Sequence, residues 1–153
     1  MEIKFTKGQY EDLIKIVYLG TWMVNAFRTD DRIEKFEELE QHILSYFKEF
    51  GLQECIIHDN SLKKFFVTKS LEEGELDQYI DEYNNENFWD ELIYRLARRD
   101  LIRKYGEDKL TKMDWEERLK KESPFIDKYE EEFEEYGIER IEISRRAFQD
   151  HSP

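Results

Sequence analysis

Between residues 33 and 50 the apolar side chains Ile33, Phe36, Leu39, Ile43, Leu44, Phe47 and Phe50 recur at intervals of three and four, with polar residues in the gaps. That period lines them along one stripe of an α-helix, and the stripe has to be buried against another element. The preceding segment supplies one. Thr6 and Gln9 make a capping box, and the helix they begin carries Leu13, Ile14, Ile16, Val17, Leu19, Trp22, Met23 and Val24 on nearly every face. Apolar residues all round imply a helix buried centrally among its neighbours. Only residues 28–31 separate the two helices, and Thr29, Asp30 and Asp31 offer cap chemistry for the second, so an antiparallel helical hairpin is expected. Gly51 offers the positive φ that ends a helix, which puts the predicted stop at Phe50.

From residue 52 to 69 the pattern changes to short β-prone runs on either side of Asp59, Asn60 and Ser61, which predict a small hairpin or an ordered loop. Ser70 with Glu73 repeats the capping-box pattern ahead of Leu76, Tyr79, Ile80 and Tyr83. Asn84 or Asn85 is placed to cap a longer helix that carries Phe88, Trp89, Leu92, Ile93, Leu96, Ala97, Leu101 and Tyr105 and ends at Gly106. Thr111 with Asp114 marks a short helix containing Trp115 and Leu119. Ser123-Pro124 then reads as the start of a last one, which stops at Gly137. Alternation over residues 2–5 and 138–143 suggests two terminal strands placed to pair with each other. The fold expected is mainly α: one domain over residues 1–146, a bundle of five or six helices with a minor β component, followed by a flexible tail at 147–153.

Charged residues make up 40% of the chain, a level often met in disordered proteins, but 15% is aromatic and disordered chains are poor in rings. The chain is therefore expected to fold around a ring-rich core. Cys55 is the single cysteine, so an internal disulfide framework is excluded and a reducing, cytoplasmic setting is expected. The first residues lack the basic-then-apolar layout of a signal peptide. The most apolar stretch, residues 13–27, is interrupted by Lys15, Gly20, Thr21 and Asn25, so no membrane span is expected.

Charge is distributed unevenly. Residues 70–94 hold nine carboxylates and no Lys, Arg or His, and Arg95, Arg98, Arg99, Arg103 and Lys104 follow directly. Helix electrostatics explains part of this, since acids favour helix starts and bases favour helix ends. The rest is read as an acidic surface that attracts a basic partner. A net charge of −13 repels a free nucleic-acid backbone. The four arginines are expected to pair with carboxylates of this chain, or to stay solvated, rather than to clamp phosphate.

Signals for chemistry are sparse. His42, His58 and His151 lie on a predicted helix, a loop and the tail, and the Cys55/His58 spacing has no second pair to complete a zinc site. No metal or cofactor is expected. Residues 81–87 are rich in oxygen ligands, yet the glycine and spacing of a calcium loop are missing. Nucleophile elbows and phosphate-binding glycine loops are absent. The function expected is a non-enzymatic, intracellular protein-binding module whose acidic surface, at Asp81, Glu82, Glu86, Trp89 and Asp90, engages a basic protein. Such a module would resemble an immunity or antitoxin protein, or a nucleic-acid mimic. The alternatives are a carboxylate-based metal-dependent enzyme within a helical bundle and a homo-oligomer joined through the aromatic face at Trp89.

Overall fold

The Thr6 hydroxyl accepts the Gln9 backbone N–H at 3.3 Å and the Gln9 side chain accepts the Thr6 N–H at 3.0 Å, so the capping box starts helix α1, Lys7–Asn25. In the computed structural model, which describes residues 3–142, the chain is mainly α with one two-stranded antiparallel hairpin. Its contacts group into two compact units, Met1–Tyr83 and Asn84–Pro153.

In the first unit, α1 packs against α2, Glu34–Leu44. The start of α2 is not capped by Thr29, Asp30 or Asp31. Ile33 stands at its N-cap position, and the fully buried Asn25 of α1 accepts the Ile33 N–H at 2.8 Å while its amide reaches the Ile33 carbonyl. A side chain from the first helix thus satisfies the backbone that opens the second. The helix ends at Leu44 rather than Phe50. Beyond it the backbone tightens to bonds three residues apart, from Tyr46 to Ile43, Phe47 to Leu44 and Glu49 to Tyr46. These turns bring Phe47 into the core and Phe50 onto Tyr10, ring centroids 3.9 Å apart. Gly51 then reverses the chain at φ +66°, a conformation that costs an L-residue free energy and glycine very little.

Tyr10 and Ile14 of α1 meet Leu44, Phe47, Leu52, Ile56, Val67 and Leu76 in the core of this unit. The Tyr10 hydroxyl donates to the Ile43 carbonyl, and burial with the nearby Glu49 pushes its pKa up to about 12. Helix α1 is not enclosed on all sides, because Ile16 and Met23 are 66% and 52% exposed. Only the Tyr10, Ile14, Thr21 and Asn25 stripe is buried.

Strands β1, Ile56–Asp59, and β2, Lys64–Val67, pair with Ile56 opposite Val67 and His58 opposite Phe65. Their link is held by the Asp59 carboxylate, which accepts the Ser61 and Leu62 N–H groups at 2.8 and 3.0 Å. Gln41 of α2 acts as a side-chain substitute for a third strand: its oxygen accepts the Phe65 N–H at 2.7 Å and its nitrogen donates to the Phe65 carbonyl at 2.9 Å.

After Thr68 the chain is helical without interruption through α3, Lys69–Leu71, a π-helical turn, Glu72–Leu76, and α4, Asp77–Tyr105. Neither Ser70 nor Asn84 or Asn85 caps a helix. A break at the asparagines would leave backbone N–H and C=O groups without partners on both sides, whereas an Asn inside a helix costs no more than about 0.7 kcal/mol relative to Ala.

In the second unit Gly106, at φ +81°, ends α4. The short α5, Glu107–Leu110, leads to Asp114, whose carboxylate accepts the Glu117 N–H at 2.8 Å and caps α6, Trp115–Tyr136. The predicted break at Ser123-Pro124 does not occur, and Pro124 lies within α6. It sits on the exposed side, where water can take over the Lys120 carbonyl that a proline leaves without a helical donor. The Ser123 hydroxyl points along the helix to Asp127 instead of capping it. Gly137 ends α6, as its position implied.

Among the described residues there are no terminal strands. Ile3 belongs to no strand, and residues 137–140 turn at the end of α6. Two short strands with no third strand and no covered face are marginal in water. Glu2, Ile143 and the tail at 147–153 lie outside the described residues. Among the described residues no helix is long and apolar enough to cross a membrane.

The Asn25 contact generates a stability prediction. Asn25→Ala leaves the Ile33 N–H buried without an acceptor and should destabilise the protein by about 1–3 kcal/mol, measured as a lower urea midpoint at unchanged slope.

Candidate functional site

In the second unit α4 and α6 run antiparallel. Trp89 meets Phe133, with centroids 5.7 Å apart, Asp100 meets Tyr129, and the Lys104 ammonium lies over the Phe125 ring. Ile93, Ala97, Tyr129 and Phe133 form the buried centre, with Trp89, Leu92, Leu96, Phe125 and Ile126 packed around it. A polar clasp holds one end. The Tyr129 hydroxyl donates to Asp100 at 2.5 Å and accepts from Arg99 at 3.0 Å, while Arg99 and Arg103 both reach the same carboxylate. These partners, Arg99 first, hold the Asp100 carboxyl down at about 2.

The arginines pair within the chain, as their neighbourhood implied: Arg95 with Glu91 at 2.7 Å, and Arg99 and Arg103 with Asp100. Arg98 is exposed. The carboxylates singled out from the sequence behave differently. Glu86 and Asp90 are exposed and have no ion pair or hydrogen bond among the described residues. In the first unit, Asp81 is likewise exposed without a partner, and Glu82 accepts one hydrogen bond from Gln78 at 2.8 Å. Helix electrostatics does not explain these positions. Only Asp77 lies in the first turn of α4, and the macrodipole acts within about one turn.

Trp89 and Phe88 divide as adjacent helical residues must. Phe88 is 50% exposed, while Trp89 packs onto Phe133 and lies 3.9 Å from where a Cβ on Gly137 would stand. One side of the Trp89 ring remains open. It floors, with Ile93 and Phe133, a groove of about 370 Å³ whose other edge is made by Glu130 and Glu134 of α6. Helical spacing sets Glu86 three residues before Trp89 and Asp90 three before Ile93, on the flank of α4 that faces this groove. The result is an apolar strip with carboxylates on both rims.

Glu130, Glu134 and Phe133 were not singled out from the sequence. The acidic excess of residues 107–136 was the available signal, but only the antiparallel pairing of α6 with α4 sets these residues opposite Glu86 and Asp90.

The remaining reactive groups are placed quietly. The Cys55 thiol is partly buried, and burial, with Glu11 and Glu54 nearby, pushes its pKa up and keeps it protonated. His58 packs against Phe65 at 4.6 Å between centroids. Among the described residues no three His, Cys, Asp or Glu converge as a metal-holding group. Comparison with protein-family models, with curated proteins and with solved structures gave no match.

The clasp has a pH signature. Because Asp100 titrates lower in the fold than in the unfolded chain, the stability it contributes is complete above pH 3.8 and is lost as pH falls toward 2. In acid denaturation followed by circular dichroism, Asp100→Asn should lower stability at neutral pH and flatten this acid limb. Tyr129→Phe should do the same to a smaller degree.

Proposed function

We propose that this protein is a non-enzymatic binding module in which the groove between α4 and α6 takes a basic amphipathic helix from a partner protein. The observation that carries this reading is the pattern of the rims: Glu130 and Glu134 line the apolar floor, helical spacing sets Glu86 and Asp90 on the flank of α4 beside it, and among the described residues none of the four has an ion-pair partner. A helix with apolar residues at spacings of three and four and Lys or Arg beside them would cover Trp89, Ile93 and Phe133 and pair its charges with both rims. Large rings set in partly covered pockets contribute most of the affinity at such interfaces, and the rim charges govern encounter and partner choice. Self-association through this groove is disfavoured by the same charges, because it would oppose carboxylate with carboxylate. A basic enzyme held inactive by an immunity-type protein, or a nucleic-acid-binding protein occupied by an acidic mimic, are the partner classes with this chemistry.

The test separates the rims from the rest of the acidic stretch. A partner captured at low salt and identified by mass spectrometry should itself be strongly basic, and its reconstituted complex should weaken steeply as salt rises. Glu86→Lys, Asp90→Lys, Glu130→Lys and Glu134→Lys combined should abolish binding with the helical circular dichroism unchanged. Asp81→Lys with Glu82→Lys should lower only the association rate. Retention of the partner by the fourfold variant would exclude the groove.

A further inference from the structure

The first unit contains a cavity that the groove reading leaves unused. It has a volume of about 230 Å³ and lies among α1, α2, β2 and the π-helical turn. At roughly 30 Å³ per water-sized share of space, it has room for about eight non-hydrogen atoms. Glu40 of α2 faces it. The Glu40 carboxyl is more than half buried, and its hydrogen-bonding neighbour is the Thr21 hydroxyl. No Lys or Arg is within ion-pair distance of it among the described residues.

Its charged neighbours are already committed, or lie farther off. Arg32 is bound to Glu37 at 2.5 Å, and Glu37 also lies 3.5 Å from the Asn25 amide. Glu72 accepts the Tyr18 hydroxyl proton at 2.8 Å. Lys64 lines the cavity from β2 but makes no ion pair there. Three carboxylates and two cations therefore line the space, and one of those cations is neutralised within the wall. The remaining lining is mixed, with Tyr18, Thr21, Gln41 and the β2 residues Phe65, Phe66 and Val67. A carboxylate without an ion-pair partner in the wall of a small pocket attracts an organic cation through charge, and the Tyr18 ring beside it adds an aromatic surface.

We infer that this cavity binds a small organic ligand through a primary ammonium group, with Glu40 as its counter-ion. With Tyr18, Thr21, Arg32, Glu37, Lys64 and Glu72 around it, burial first and Glu37 second push the Glu40 pKa up to about 7. In the free protein the group therefore carries a proton over part of the neutral range. The ordinary cost follows: the stability associated with its proton is complete below pH 4.5 and is lost as pH rises through 7. Glu40→Gln should accordingly raise the melting temperature at alkaline pH and not at acid pH. An ammonium ligand reverses the preference, because it stabilises the ionised form, and its binding releases the proton.

Titration calorimetry of the full chain with n-butylammonium, putrescine and γ-aminobutyrate, against butyrate as a control, tests the site. At least one ammonium probe should bind and butyrate should not. Affinity should rise through neutral pH, and buffers of different ionisation enthalpy should report proton release that is large on the acid side of neutrality and small on the alkaline side. Glu40→Gln should bind roughly ten- to a hundredfold more weakly, with no proton release. A preference for putrescine assigns the second ammonium to Glu72. A preference for γ-aminobutyrate that is lost in Lys64→Met assigns the ligand carboxylate to Lys64. Equal binding by Glu40→Gln, binding of butyrate, or no binding of any ammonium probe at millimolar concentration overturns the inference. Should Glu40→Gln fail to fold, the ¹³C titration of the Glu40 carboxyl in the native chain decides. Its midpoint should fall when an ammonium probe is present, and an unchanged midpoint overturns the inference.

Discussion

Helix α4 keeps its hydrogen-bond ladder unbroken through residues 81–88, where every side chain is exposed. Packing on those two turns is slight: Tyr83 borders a shallow pocket with Leu19, Trp22 and Met23 of α1, and Phe88 meets the edge of Trp89. The turns persist because helix formation is cooperative and because each end of the helix is anchored in a core, by Leu76 and Ile80 on one side of the stretch and by Ile93, Ala97 and Leu101 on the other. The rest of the molecule depends on that continuity. It fixes the helical phase of Glu86, Trp89, Asp90 and Ile93, and so decides which of them face α6. A break at the asparagines would free that phase and with it the groove.

Charge in this protein is divided by function as much as by sequence position. The carboxylates that meet a cation inside the chain are structural: Asp100 beneath Arg99 and Arg103, Glu75 against Lys15 at 2.7 Å, and Glu37 against Arg32. Exposed pairs of this kind contribute little each, typically under 1 kcal/mol. The Asp100 clasp is set apart by Tyr129, which joins it to the neighbouring helix. Among the described carboxylates without an ion-pair partner, two groups bear on binding. On the rims of the α4–α6 groove they are solvated and available to a macromolecule. At Glu40 the carboxyl is partly buried and faces a pocket of about 230 Å³.

Several local features were legible because their cause is local. The Thr6–Gln9 capping box, the hairpin around Asp59 and the helix ends at Gly106 and Gly137 each rest on hydrogen bonds or backbone preferences within a few residues, whereas the cap read at Thr111 falls at Asp114, and Thr111 ends α5 instead. Cap chemistry was over-read where it was redundant. Asn84 and Ser123 carry the side chains of caps, but the chain on both sides of them is helical, and continuing the ladder satisfies more backbone groups than ending it; at Ser70 the cap position falls two residues earlier, at Thr68. The apolar residues of α1 gave the helix correctly and its environment incorrectly. Counting apolar residues around a helix does not say whether enough chain exists to cover each face, and here Ile16 and Met23 are left exposed.

The sequence by itself determined that this chain is mainly α, where most of its helices and its one hairpin lie, and that the carboxylates of residues 81–90 have no base nearby along the chain. Those properties follow from period, turn chemistry and charge within short windows. Tertiary structure alone decided which carboxylates are neutralised, that Glu130 and Glu134 stand across a groove from Glu86 and Asp90, that Asn25 opens α2, and that Glu40 faces a cavity. Each of these depends on residues far apart in the chain. The packing of one helix face against another brings them together, and a one-dimensional pattern carries no record of which faces meet.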